Sequence, residues 1–197
     1  MQDIFTNYND GLMIELTLTD KKEDFEQIIA LQQKNHVSGI DESQWAADGF
    51  VTLEFDVASL DKMRGSYRHV IARSGEQLVG YSLVMLPECR DDFQFLIPMF
   101  KTIDSAVFHG EAVSEKKYFV MGQICVDKAY RNMGIFRELY YKLRDQMLPD
   151  FDFVVTEVSV KNTRSVSAHK QIGFVNINNG QAEAETGEWE VIAWDWK

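Results

Sequence analysis

The stretch that decides the fold is Gln123-Ile124-Cys125-Val126-Asp127-Lys128-Ala129-Tyr130-Arg131-Asn132-Met133-Gly134-Ile135-Phe136-Arg137-Glu138-Leu139. It starts inside an apolar run, Tyr118 to Val126, dense enough for a central strand covered on both faces. It turns within a few residues and continues as a helix over Gly134 to Leu148. Ile135, Leu139, Leu143 and Met147 recur there near the helical period, and Pro149 lies beyond the end. The first turn of such a helix carries N–H groups with no intrahelical acceptor, at the positive end of the helix dipole, which makes an anion site. Gly134 lets backbone approach a phosphate, and Arg131 and Arg137 add charged donors. A diphosphate suits these parts. The three-glycine dinucleotide fingerprint and the Gly-Lys-Ser/Thr phosphate loop are both missing. Taken alone, the turn could belong to any α/β protein.

A second segment, Thr156 to Phe174, narrows the choice. A strand over Phe151 to Val160 leads to Asn162, a good N-cap, and the helix that follows stops at Gly173. Asn162, Ser165 and His169 are spaced by three and four, so they share one helical face. A polar Asn-Ser-His face suits a wall beside a polar ligand.

Working outward, Leu12 to Thr19 alternates as a half-buried strand. Asp20 is the expected N-cap of a helix over Lys21 to Lys34, and Ser38-Gly39 breaks the pattern. Short helices are expected at Ser43 to Asp48 and Asp56 to Met63. A hairpin joins His69–Ala72 to Gln77–Leu86 around Ser74-Gly75. Asp91 to Ile103 reads as a helix despite Pro98, and Phe174–Ile177 and Trp189–Trp196 read as final strands joined by Asn178-Asn179-Gly180. The order predicts one α/β domain over residues 1–197 (α+β in some schemes). Its mixed central sheet has about six or seven strands with helices on both faces.

At 197 residues a chain buries roughly 70% of its unfolded surface and needs no staples. Cys89 and Cys125 match neither a metal spacing nor a secreted disulfide framework, and no metal is expected. The start, Met1 to Tyr8, lacks signal-peptide character, and no apolar run is long enough to span a bilayer. A cytoplasmic location follows, with no membrane partner. A net charge of −11 argues against nucleic acid and is compatible with a cationic, amine-bearing partner or with acidity that only keeps the chain soluble. A homodimer and a monomer both stay open.

Together the two segments resemble motifs A and B of the GNAT superfamily of N-acyltransferases. Motif A is matched by Val126-x-Lys128-x-Tyr130-Arg131-x-x-Gly134-x-Phe136, and the second motif by Asn162, Ser165, His169, Gly173 and Phe174. The motifs cover roughly residues 118 to 175. Two residues depart from the pattern: Phe136 stands where the family has a second glycine or alanine, and Lys128 where it has proline. The resemblance implies acetyl transfer from acetyl-CoA to a primary amine of a small molecule, peptide or protein, by direct attack. It also leaves open a non-catalytic acyl-CoA-binding module. By position, Ile124, Cys125 and Val126 would pair with the pantetheine arm. The pyrophosphate would fall to Arg131, Asn132, Met133, Gly134, Ile135, Phe136 and Arg137, with Asn162, Ser165 and His169 beside the cofactor. A backbone N–H near Ile124 would polarise the thioester carbonyl.

Direct transfer needs a base for the amine and an acid for the departing thiolate. Glu157 stands where some relatives that acetylate protein N-termini carry a glutamate base. His169 stands where many relatives carry a tyrosine acid, and it could equally serve only as a cofactor contact. Cys125 as an acyl-accepting nucleophile is disfavoured, since cysteines in strands are usually buried and inert. The loops from Asn35 to Phe50 and Cys89 to Lys117 are where acceptor specificity should lie.

Overall fold

The computed structural model describes residues 3–6 (backbone only), 12–177 and 188–196. The expected Asn178-Asn179-Gly180 connection lies outside them. Among the described residues, ten strands and six α-helices follow in chain order: β1 (Asp3–Thr6), β2 (Met13–Leu18), α1 (Lys22–Lys34), α2 (Trp45–Asp48), α3 (Val57–Met63), β3 (Val70–Ser74), β4 (Gln77–Met85), α4 (Ile97–Ser105), β5 (Val107–Phe108), β6 (Glu111–Ala112), β7 (Tyr118–Val126), α5 (Ile135–Met147), β8 (Phe153–Ser159), α6 (Thr163–Ile172), β9 (Val175–Asn176) and β10 (Trp189–Asp195). Eight strands form one sheet in the order β1-β2-β3-β4-β7-β8-β10-β9, and β5 and β6 make a separate small hairpin. Every neighbouring pair in the sheet is antiparallel except β7 and β8. β1 is an eighth strand beyond the seven read from the sequence.

The sheet is covered on both faces, as its near-continuous apolar strands require. One face packs Ile28 and Leu31 of α1, Leu60 and Met63 of α3, and Phe100 and Ile103 of α4 against Ile71, Tyr81 and Leu83. The other packs Ile135, Leu139, Leu143 and Met147 of α5 against Val70, Val79, Val84 and Phe119.

Two local expectations shift for identifiable reasons. Pro98 does not interrupt a helix over 91–103. It sits in the first turn of α4, where a missing N–H costs nothing, and the residues before it form short 3₁₀ turns. At the start of α1 the capping carboxylate is Asp24, not Asp20. Its Oδ2 accepts the N–H groups of Asp20 at 2.7 Å and Lys21 at 3.1 Å.

Between α2 and α3 the chain from Gly49 to Phe55 forms no helix and only one bridge, from Val51 to His36, and buried polar side chains hold it against the sheet. Gln32 brackets Phe55, donating to its carbonyl and accepting its N–H, both at 3.2 Å. Gln32→Leu leaves both backbone groups unpaired, so a loss of about 1–3 kcal/mol is expected in urea unfolding. An unchanged midpoint would mean that this bracket contributes nothing.

Candidate active site

The parallel pair β7–β8 is matched only over Tyr118↔Phe153, Phe119↔Val154 and Val120↔Val155. Past that point β7 carries a bulge. Leu83 faces Gln123 but the next residue, Val84, faces Met121, so Gly122 is the extra residue. A bulge bends its strand and sharpens the local twist. A Cβ there would come within 2.7 Å of Met63 Cε and 3.0 Å of Met85 Cε, so any other residue would require these two flexible side-chain ends to move. The C-terminal halves of β7 and β8 therefore splay, and a cleft opens between them beside the N-termini of α5 and α6. Its two lobes meet at Phe50, Val51, Ile124, Asn162 and Ser165.

The first lobe, about 410 Å³, holds the turn before α5. Asn132 and Gly134 have left-handed backbone, with φ of 64° and 78°. This winds the turn so that α5 begins at Ile135. Arg137 and Glu138 already donate to the Gly134 carbonyl. For the N–H groups of Met133, Gly134, Ile135 and Phe136, no acceptor occurs among the described residues. Arg137, more than half exposed, and Arg164 of α6 flank them. The carboxylate lining this lobe, Asp48, is paired with Lys128 at 2.7 Å. Free amides and two guanidiniums fit a diphosphate.

Arg131 takes a different part from the one expected. Its Nε donates to the Val126 carbonyl at 3.1 Å and its NH2 to Asn35 Oδ1 at 2.8 Å, while NH1 lies 3.9 Å from Asp48. Burial lowers its pKa from the usual arginine value. It braces the turn against the end of α1. Half-buried Arg164 also lines the lobe, donating to the Ala47 carbonyl at 3.3 Å and to Asn132 Oδ1 at 3.0 Å. Arg164 was missed because helix residue 164 carries no motif letter; only the phase of α6 relative to Asn162 could have flagged it. The Met133 side chain does not line the cleft and packs into the apolar cluster under α5.

The second lobe, about 360 Å³, lies between β8, α4 and the segment 50–53. Two tethers hold that segment across the cleft. Asn162 Nδ2 donates to the Phe50 carbonyl at 2.9 Å, and Gln123 Nε2 donates to the Leu53 carbonyl at 2.9 Å. Asn162 also caps α6, accepting the Ser165 N–H at 3.2 Å. Its side chain is thus spent on architecture. Gln123, whose Oε1 accepts from Tyr81 Oη at 2.6 Å, escaped the sequence reading because a lone glutamine in an apolar strand carries no pattern.

Glu157 lines this lobe, and its carboxyl has no hydrogen-bond or ionic partner among the described residues. Burial pushes its pKa up from 4.5 to about 7. A carboxyl poised near neutrality beside an open cavity can take up a proton at working pH.

His169 does not fit the acid role given to it. Nδ1 lies 2.8 Å from the Ser165 carbonyl and Nε2 lies 2.7 Å from Tyr140 Oη. A carbonyl only accepts, so the ring proton sits on Nδ1 and the Tyr140 hydroxyl donates to Nε2. Burial pulls the His169 pKa down to about 4, so the ring is neutral with both nitrogens committed. Phe136 stacks edge-on against it at 5.1 Å and against Tyr140 at 5.4 Å. The aromatic ring at the irregular motif position thus fills space between α5 and α6, and Gly134 is left as the point of close approach. His169→Phe is accordingly expected to cost stability more than turnover. A drop in kcat with unchanged thermal midpoint would restore the acid role.

Cys125 is buried, and desolvation raises its thiol pKa to about 12. A thiol held protonated is no nucleophile. Cys125→Ala is expected to keep kcat within about threefold. A fall of ~10³ or more, the scale of a removed covalent nucleophile, would reverse that reading.

A splayed parallel pair with free amides at its mouth defines an anion-binding α/β fold, and comparison with known families gives it a name. The model of the acetyltransferase (GNAT) family matches residues 34–174, and this chain belongs to that family. Its class of activity is acetyl transfer. Among solved structures, the GNAT domain of S. lividans PAT aligns with a TM-score of 0.63 at 10% identity, covering 99% of this chain and 97% of that one. The ribosomal-protein-S18-alanine N-acetyltransferase from Escherichia coli aligns at 0.58 and 12% identity, covering 93% and 94%. Arabidopsis thaliana Naa50, in complex with the bisubstrate analogue CoA-Ac-MVNAL, aligns at 0.57 and 13%, covering 92% and 99%. No curated protein matches the chain by sequence.

Proposed function

We propose that this chain moves an acetyl group from acetyl-CoA directly to a primary amine, with Glu157 as the base. The observation that carries the reading is the unpartnered Glu157 carboxyl, of pKa about 7, in the lobe that adjoins the diphosphate-fitting turn through Ile124. The free amides of residues 133–136, with Arg137 and Arg164, would hold the pyrophosphate. The edge of β7 released from β8 offers backbone groups at Ile124, Cys125 and Val126 for an extended pantetheine arm. The bisubstrate analogue bound to Naa50 supports a CoA ligand on this architecture.

Glu157 takes the proton as the amine nitrogen bonds to the acetyl carbon. The carbon–sulfur bond breaks, the CoA thiolate takes its proton from water, since His169 offers none, and Glu157 returns its proton to the hydroxide so formed. The acetyl product and free CoA thiol are released in equal amounts. A cytoplasmic setting fits the two unpaired cysteines.

The reading is tested by adding acetyl-CoA and a panel of amines while titrating free thiol and weighing products by mass spectrometry. Thiol release matched by N-acetyl product is expected. Release without acetylated amine, or none with any amine, would sink it.

A further inference from the structure

We infer that the acceptor is a monoamine on an apolar, aromatic-sized body, not a polyamine or a free amino acid. This rests on the acetyl-transfer reading above and narrows it.

The net charge of −11 suggests a cationic substrate, yet that acidity is not in the acceptor lobe. Among the described residues lining it, Glu157 is the sole acid and no lysine or arginine occurs. The walls are Phe50 and Leu53 of the tethered segment, Phe95 of the 3₁₀ turn before α4, Met99 in the first turn of α4, and Trp189 of β10. At about 360 Å³, the space matches a small ligand with an aromatic ring.

The lobe's polar groups are largely committed. Gln123 is used by Tyr81 and Leu53, the Thr156 hydroxyl donates to the Met121 carbonyl at 2.9 Å, and Thr102 donates to the Pro98 carbonyl at 3.0 Å. A second ammonium or a carboxylate on the substrate would be stripped of water with little to replace it. An α-carboxylate would also sit beside Glu157, like charge against like. One ammonium can meet one carboxyl, and the remainder of the ligand meets carbon. Specificity of this kind comes as much from what the site leaves unpaired as from what it binds.

The test compares kcat/KM for 2-phenylethylamine with putrescine, spermidine and phenylalanine, using thiol release in the wild-type chain. A preference for 2-phenylethylamine of about a hundredfold or more is expected, the scale of one unpaired buried charge. Phe95 is 55% exposed, so a polar replacement there is expected to leave the protein folded, which circular dichroism checks. Phe95→Asp adds a carboxylate at the lobe's mouth and should lower kcat/KM for 2-phenylethylamine about tenfold while raising it for putrescine. Equal rates across the panel, or a preference for spermidine, would overturn the inference while leaving acetyl transfer standing. Turnover of no amine at all would overturn both.

Discussion

Glu157→Gln is expected to lower kcat by about 10²–10⁴, the usual contribution of a positioned general base, with acetyl-CoA affinity unchanged. Glutamine keeps the shape of the side chain and cannot take a proton. The wild-type rate should also show an inflection near pH 7, rising as the carboxyl ionises. Any further rise from deprotonation of the amine itself would appear in both proteins, so the inflection missing from the variant is the diagnostic. The same substitution should affect stability in the opposite direction. A carboxyl whose folded pKa is raised favours the folded state fully below its unfolded value of 4.5 and loses that advantage as pH rises through about 7. The wild type therefore carries the cost of a desolvated charge at pH 8, of the order of 3 kcal/mol from the size of the rise, and the variant does not. Glu157→Gln should be the more stable protein at pH 8 and should lose that margin at pH 4. A variant with full activity, or one less stable at pH 8, would remove Glu157 from the role of base.

Gly134→Val should abolish measurable acetyl-CoA binding or weaken it at least tenfold. A φ of 78° places this residue in left-handed backbone. A β-branched side chain there costs roughly 1–2 kcal/mol or more, and relief requires rewinding the turn that carries the free amides of residues 133–136. Alanine at the same position should give a smaller effect in the same direction. Circular dichroism should show α5 intact, because Ile135, Leu139, Leu143 and Met147 still anchor it in the core. Unchanged affinity with a folded protein would mean that the pyrophosphate is held elsewhere.

The fold was legible because its strongest elements carry redundant signals. β7, α5, β8 and α6 each combine an apolar period with a cap or breaker such as Asn162 or Gly173, so tertiary context had nothing to override. The edges read less well: β1 is four residues long and depends on pairing with β2, and Pro98 looks like a helix breaker until its helix is seen to begin one residue earlier. The cleft was half legible. Asn162, Ser165 and the residues from Arg131 to Arg137 could be placed near one another by motif spacing. What each side chain does there depends on partners distant in sequence. Arg131 is taken by Asn35, Asn162 by Phe50, and His169 by Tyr140, contacts that span 96, 112 and 29 residues. No local pattern reports such pairings. The same holds for the charge: 31 acidic residues set the net value, yet the described acceptor lobe contains one.

The most direct test is a calorimetric titration of acetyl-CoA into the wild-type chain and into Gly134→Val, with AMP as the control ligand. Saturable binding of one acetyl-CoA per chain, far tighter than AMP and lost in the variant, is expected. No heat with acetyl-CoA, or equal affinity for AMP, would contradict a cleft built for a CoA thioester.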